Sequence, residues 1–367
     1  MKKLKIGVIG CGGIANQKHF PAFKANEELN EIVAFCDVIE ERAVQAAKDF
    51  GTEDARIYTD YKELLADTEV EVVHICTPNV SHSFIAVDAF KAKKHVYCEK
   101  PMSHNTEEAQ KMIDAWKASG MKFTVGYQNR FREEVLNLHE ACSKGELGDI
   151  YYGKAHAVRR RGVPTWGVFP DKSQQGGGPL IDIGTHALDI TLWCMNNYDV
   201  DSVSGSVYYK LGHLPQATEG NLFGPWDTKN FEVEDSAMGF IKMKDGATIH
   251  LEASWALNML ESREASTTLC GTLSGAEIHS GMSYDKNELI YNRGRNGQLM
   301  EESLSKIGGV AYFGGGGGAE GIADNRQWLE AIINDTEPLV KPEEAFVVTK
   351  ILDSIYRSAE ENKELKF

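Results

Sequence analysis

No stretch of the sequence approaches the ~20 consecutive apolar residues that a membrane span requires. The N-terminus, MKKLKIGVIG, sets lysines before an apolar run, as a signal peptide does. That run extends only from Ile6 to Ile9, is broken by Gly7 and has no small-residue cleavage site after it, so it reads as a first strand. Cysteine is scarce as well. The seven cysteines form no close-set pair, which excludes a disulfide framework or a zinc ribbon. Cys36, Cys76 and Cys98 fall near the ends of predicted strands and read as buried thiols of a protein in the reducing cytoplasm. Positive charge is in deficit, with 39 Lys and Arg against 54 Asp and Glu, for a net charge of -15. Such a chain repels phosphate backbones, which argues against a nucleic-acid partner. The one basic run, Arg159-Arg160-Arg161, suits a small anion or a carboxylate. There is no HExxH, no internal repeat and no membrane partner to be expected.

What is present is organised in two parts, as a chain of 367 residues leads one to expect. Short apolar runs at 4–10, 31–37, 70–77, 95–99 and 122–127 alternate with helical patterns at 41–50, 83–93 and 106–119. Runs that are apolar throughout suit strands covered on both faces, so this part is predicted to be an α/β domain with a parallel sheet, residues 1–127. After Tyr127 the pattern changes. Alternating segments at 149–161, 202–210, 235–243, 246–255 and 265–273 predict a mostly antiparallel sheet, with Asp245-Gly246 turning a hairpin. Two helical stretches, 319–335 and 342–362, close the chain. This second, α+β domain is placed at 128–367, with its C-terminal helices packing back toward the first. The glycine run at 313–321 reads as a mobile loop.

The first strand runs into Gly10-Cys11-Gly12-Gly13-Ile14-Ala15, which fits G-x-G-x-x-A. Alone the match is weak, but it lies between a predicted strand and a helix, and Asp37 ends the next strand, 22 residues after Ala15, where about 20 are expected. Gly10 permits the tight turn. Gly12, with Gly13 and Ile14, lets backbone amides approach a pyrophosphate at a helix N-terminus. Asp37 suits the ribose hydroxyls of NAD and repels the 2′-phosphate of NADP. Arg42 on the following helix keeps NADP open as the less favoured cofactor. Thr77-Pro78-Asn79, with His82 nearby, ends another strand, and ligands of open α/β sheets bind at such ends. A plain proline turn explains Asn79 and His82 equally well. Glu99-Lys100-Pro101 follows the next strand, and the residue before a proline is held away from the helical region, which fixes the direction of Lys100.

The most unusual segment is GGGPLIDIGTHALDI, residues 176–190. Its glycines are expected to let the chain approach a crevice closely, and Pro179 to start a helix. The four-residue spacing puts Asp182 and His186 on one helix face. That pair alone suits a metal, a proton relay or a buried structural contact, but it supplies only two metal ligands, so no metal site is predicted.

GCGGIA, TPN, EKP and GGGPLIDIGTHALDI, together with the C-terminal pattern at 344–367, make the chain resemble the Gfo/Idh/MocA oxidoreductases over essentially its whole length. The resemblance implies a Rossmann domain followed by an open, mainly antiparallel sheet. One sheet face is turned to the cofactor and the other serves assembly, as a homodimer or homotetramer. It also implies a cis peptide within EKP. Lys100, Asp182 and His186 match the family's catalytic lysine, aspartate and histidine. Oxidising a secondary alcohol needs a base for the hydroxyl proton, and histidine titrates near working pH. His186 is therefore expected to be the general acid/base and Lys100 to stabilise the reacting oxygen. Asp182 orients the substrate or the imidazole.

The expected cofactor contacts are Gly10, Gly12, Gly13, Ile14, Asp37, Thr77, Pro78, Asn79, His82, Glu99 and Lys100. Lys100, Asn129, Arg130, Arg161, Trp166, Asp182 and His186 are the expected substrate contacts. For Asn129 and Arg130 a structural role at the domain junction is an equal alternative, and for Trp166 so is core or lid packing. The leading reading is an NAD-dependent dehydrogenase of a sugar, sugar derivative or cyclitol. A redox glycosidase that recycles its NAD and a non-catalytic nucleotide sensor are the alternatives.

Overall fold

The computed structural model describes residues 3–284, 287–306 and 318–367. The glycine run expected to form a loop lies, for its greater part, outside the described residues. The chain folds into two compact units. The first contains the described residues of Met1–Phe131 and Ala311–Phe346, the second those of Arg132–Val310 and Val347–Phe367.

In the first unit, six strands form one parallel sheet: β1 (Leu4–Ile9), β2 (Asn30–Cys36), β3 (Arg56–Tyr58), β4 (Val72–Ile75), β5 (His95–Cys98) and β6 (Phe123–Val125). Their order is β3-β2-β1-β4-β5-β6, the doubly wound arrangement in which the strand order reverses beside β1. Helices α1 (Phe20–Ala25), α2 (Glu40–Phe50), α3 (Tyr61–Ala66), α4 (His82–Lys91) and α5 (Thr106–Ser119) connect the strands. Local chemistry sets several of the ends. The Asn105 side chain caps α5 by accepting from the Glu108 amide, and Gly120 ends that helix in the left-handed region, φ 72°. The core joins Ile6 and Val8 of β1, Phe35 of β2 and Val72 of β4 to Phe20 and Phe23 of α1.

The second unit contains α6 (Glu133–Ser143), β7 (Ile150–Val158), α7 (Lys172–Gln175), α8 (Thr185–Met195), β8 (Val200–Tyr208), β9 (Ser236–Met243), β10 (Thr248–Ser254), β11 (Arg263–Gly271), β12 (Ser274–His279), β13 (Asn287–Arg295) and β14 (Gln298–Lys306). Along the chain follow α9 (Gly318–Ile333), which belongs to the first unit, α10 (Pro342–Glu361), divided between the two, and β15 (Leu365–Lys366) of the second. Nine strands form an open sheet in the order β14-β13-β12-β11-β7-β10-β9-β8-β15. It is antiparallel except for β7 with β10, which run parallel. The hairpin expected at Asp245-Gly246 joins β9 to β10, with Gly246 at φ 94°.

Helix α8 lies on this sheet. The Thr191 hydroxyl of α8 donates to the Ala187 carbonyl of its own helix and lies 2.8 Å from the Thr267 hydroxyl of β11, which can donate to it. Along the C-terminal end of the chain, Ser358 of α10 accepts from the Gly205 amide of β8 at 3.0 Å.

A boundary after Tyr127 would assign residues 128–131 and the whole C-terminal part to the second domain. Instead Arg130 and α9 are components of the first unit. The reason is visible in the packing. Trp328 and Leu329 of α9 complete the core beneath β1, and the wholly buried Arg130 guanidinium pairs with Glu344 at 2.5 Å.

Candidate active site

The nucleotide end of the first unit is built on the turn after β1. Gly10 sits at φ 92°, and a Cβ there would stand 2.6 Å from the Cys76 carbonyl oxygen, so no other residue fits. Gly12 and Gly13 differ. A Cβ at either position would meet nothing within 4 Å. The protein itself therefore leaves them room, and open space over backbone amides at a helix start is what a dinucleotide pyrophosphate needs. The helix continues through a π-helical turn, Ala15–His19. Asp37, at the end of β2, accepts from the Cys11 amide at 2.8 Å and from the Ile39 amide at 2.9 Å. Those two bonds hold its carboxylate against the glycine turn. The residues present thus fit a dinucleotide: a glycine cradle with space above it and a fixed carboxylate beside it.

At the end of β4, Thr77, Pro78 and Asn79 are half-buried. Ser81 donates to the Thr77 hydroxyl at 2.6 Å and stiffens the turn. Lys100 follows β5, half-buried, and the Lys100–Pro101 bond is cis.

Four residues expected at the ligand have other partners. His82 is buried, with its ring nitrogens 2.9 Å from the carbonyls of Pro101 and Thr77. Burial lowers its pKa against the pull of those carbonyls, and a neutral ring, with its single N–H, donates to one of the two. Glu99 is buried among Lys18, His19 and the Lys100 amide. Arg130 is spent on Glu344 and, at 3.4 Å, the Leu339 carbonyl. Arg161 braces loops through the carbonyls of Ala217, Arg160 and Leu257 and the Asn258 amide oxygen. Its neighbour Arg159, the other arginine on that strand face, is buried against Glu264 at 2.8 Å. Asn129 is buried too. His82, Glu99, Arg130 and Arg161 each have at least one partner 19 or more residues away in sequence, which a local motif does not reveal.

The second unit carries the Asp-His segment. Pro179 precedes a π-helical turn, Leu180–Gly184, which runs directly into α8. Asp182 lies within the π-turn and His186 in the first turn of α8. The wider π-turn is a common feature of functional sites. Asp182 accepts from the indole N–H of Trp255 at 3.1 Å, which fixes one carboxylate oxygen and leaves the group half-buried. His186 is 1% exposed.

Contrary to expectation, the glycines before this turn are closed against their own unit. A Cβ at Gly177 would overlap the Tyr356 hydroxyl, and one at Gly178 the Glu234 carbonyl. Glu234 was not legible as part of the site, yet it holds the helix start. Its carboxylate accepts from the amides of Gly178 at 2.8 Å and Leu180 at 3.1 Å, and from Tyr356 at 2.8 Å. Trp166 is 51% exposed and meets Phe223 edge-on, ring centroids 4.7 Å apart. Phe169 links it to Trp255, with centroid separations of 5.9 and 6.2 Å. Among the described residues no group of three His, Cys, Asp or Glu could hold a metal ion, and no helix is long and apolar enough to cross a membrane.

A doubly wound nucleotide-binding sheet and a second unit with an open antiparallel sheet define the class: a dinucleotide-dependent α/β oxidoreductase. The family model for the oxidoreductase family with the NAD-binding Rossmann fold matches residues 4–127, and that for the GFO/IDH/MocA C-terminal domain matches 135–276. The chain belongs to the GFO/IDH/MocA oxidoreductase family. It is 33% identical over 363 residues to D-glucoside 3-dehydrogenase of Escherichia coli K12, covering 97% of this chain and 95% of that one. Inositol 2-dehydrogenase of Salmonella typhimurium LT2 is 30% identical over 194 residues, 53% of this chain and 55% of the relative. Levoglucosan dehydrogenase, solved with NADH and levoglucosan, shares the fold with a TM-score of 0.82 over 100% of this chain and 99% of that one, at 22% identity.

Proposed function

We propose that the protein oxidises a secondary hydroxyl of a sugar, sugar derivative or cyclitol, with NAD as the acceptor. The carrying observation is the end-to-end likeness to a D-glucoside 3-dehydrogenase in a chain that has Lys100, Asp182 and His186. Nicotinamide, when bound, supplies the hydride acceptor. The protein's residues do the rest. His186 takes the hydroxyl proton through its imidazole in oxidation and returns it in reduction. The Lys100 ammonium donates a hydrogen bond to the reacting oxygen and stabilises the alkoxide charge that develops there. Asp182, steadied by Trp255, orients the substrate or the imidazole. Asp37 favours NAD over NADP, because a fixed carboxylate repels a 2′-phosphate. Trp166 is assigned to the apolar face of the sugar ring.

The test is to incubate the purified protein with NAD or NADP and a panel of glucosides, free sugars and inositols, following reduced nicotinamide and aglycone release. Reduced nicotinamide with a ketone product, faster with NAD, is the expected result. Aglycone release without net reduction would replace this reading with a redox glycosidase. Tight NAD binding without turnover of any member would replace it with a sensor. Lys100→Ala and His186→Ala should each lower kcat at least ~100-fold while NAD still binds. Full activity in either variant would overturn the role given to that residue.

A further inference from the structure

Beneath β5 the first unit buries an unusual number of ionisable groups that the proposed chemistry does not use. Lys18, His19, His74, Tyr97, Glu99 and Asp324 are each at most 7% exposed. Their hydrogen bonds close into one network. The Lys18 ammonium donates to Tyr97 at 2.8 Å, to Glu99 Oε1 at 2.8 Å and to Gln128 at 3.3 Å, which uses all three of its protons. The Tyr97 hydroxyl in turn donates a hydrogen bond to Asp324 of α9 at 2.5 Å. An ionised Glu99 only accepts, so His19 Nε2, 2.8 Å away, carries the hydrogen. His19 Nδ1 then accepts from His74 Nδ1 at 3.0 Å, and the remaining His74 nitrogen has no partner. This arrangement needs both rings neutral, and burial lowers the pKa of each. For Lys18, burial works against the charge and is outweighed by Glu99 and Asp324, so the ammonium persists. For Glu99 burial is outweighed in turn, chiefly by the Lys18 charge.

A buried ion pair is a poor device for stability alone, since apolar residues of similar size do as well or better. The other oxygen of Glu99 suggests what this one is for. Glu99 Oε2 accepts from the backbone amide of Lys100 at 3.1 Å. On the far side of the same residue, His82 is bonded to the Pro101 carbonyl at 2.9 Å. The backbone at Lys100 therefore stands between two peptide groups, each held by a buried side chain.

We infer that Lys18 and Glu99 form, with His82, a clamp that positions Lys100. Lys18 fixes the Glu99 carboxylate, and Glu99 fixes the Lys100 peptide. Neither touches substrate, so both are positioning residues. The inference rests on the reading of Lys100 as a catalytic group. A misplacement of about 1 Å at such a group costs on the order of 100-fold in rate, so the clamp should be visible in kcat.

The experiment pairs hydrogen exchange with kinetics. In the unaltered protein the Lys100 amide should exchange at least ~100-fold more slowly than in an unstructured peptide. Exchange at the unprotected rate would overturn the clamp. The double variant Lys18→Met/Glu99→Leu replaces the ion pair with apolar side chains. Its Lys100 amide should exchange at least ~10-fold faster and its kcat fall at least ~30-fold, with the NAD dissociation constant changed less than ~3-fold. If that variant does not fold, Glu99→Gln, which keeps the side-chain size, carries the test with a kcat loss of about 10-fold. A folded variant with the unaltered kcat would overturn the inference. Lys100→Met is measured beside them. If it keeps full kcat, the catalytic reading of Lys100 fails, while the exchange data still decide whether the clamp exists.

Discussion

The two units open their functional helices with similar spelling, GCGG before one and GGGP before the other, and the glycines do opposite work. At Gly12 and Gly13 an added side chain meets nothing within 4 Å, and the turn stays open above its amides. At Gly177 and Gly178 an added side chain runs into Tyr356 and Glu234, and two amides of the turn are already bonded to the Glu234 carboxylate. Both helices begin with a π-turn. One helix start thus keeps open space beside its glycines, and the other has two of its amides bonded to a carboxylate of its own unit. The first is suited to receive a ligand. The second is suited to hold its own side chains, Asp182 and His186, still.

That contrast can be broken by exchanging the penalties. Gly178→Ala should cost about 3 kcal/mol of stability, the upper end of the overpacking range, measured by denaturant unfolding. Little loss would show that the second turn is as open as the first. Gly12→Val should leave the unfolding midpoint of the ligand-free protein unchanged and weaken NAD by roughly 2 kcal/mol, about 30-fold, in a titration. A loss of stability without a loss of NAD affinity would reverse the assignment.

Two of the buried carboxylates, Glu99 and Glu234, sharpen the comparison through pH. Burial raises the pKa of Glu99, but Lys18 outweighs it, and the folded value lies well below the ordinary one. Its contribution to stability is present above about pH 4.5 and is lost as pH falls toward the depressed folded value. For Glu234 burial prevails over the donors from Gly178, Tyr356 and Leu180, and the folded value is raised. Its contribution is fullest below the unfolded pKa and is lost as pH rises through the folded one. Unfolding series across pH 3–7 should therefore show opposite slopes removed by Glu99→Gln and by Glu234→Gln. Slopes of the same sign would contradict the environments described. The smallest effect is expected on the outer loop, where Trp166→Ala should raise the substrate KM about fivefold, roughly 1 kcal/mol, with kcat little changed.

Much of this was legible in the sequence because it is local. Strand-turn-helix periodicity located the Rossmann sheet, and Gly10, Asp37 and the Asp182–His186 spacing lie within single elements or one βαβ unit. What was not legible depends on distant partners. The short strand β3 carries only three residues of pattern. Glu234 reaches Gly178 across 56 residues of sequence, so the purpose of GGGP could not be read from its neighbours. Arg130 and Glu99 have the residue types of ligand contacts, and only the fold shows Glu344 and Lys18 beside them. Helix α9 carries an ordinary amphipathic pattern, and only the buried Asp324 and Trp328 show that it belongs to the first unit.

In the proposed reaction a carbon-bound hydrogen of the substrate passes to nicotinamide on this protein. The direct measurement uses methyl glucoside deuterated at every ring carbon, with unlabelled NAD, and follows the products by NMR and mass spectrometry. Equal amounts of a ring ketone and of reduced nicotinamide carrying one deuterium are expected. Methanol release with no deuterium accumulating on nicotinamide would contradict it, as would unchanged glucoside together with no reduced nicotinamide from the free sugars and inositols of the panel.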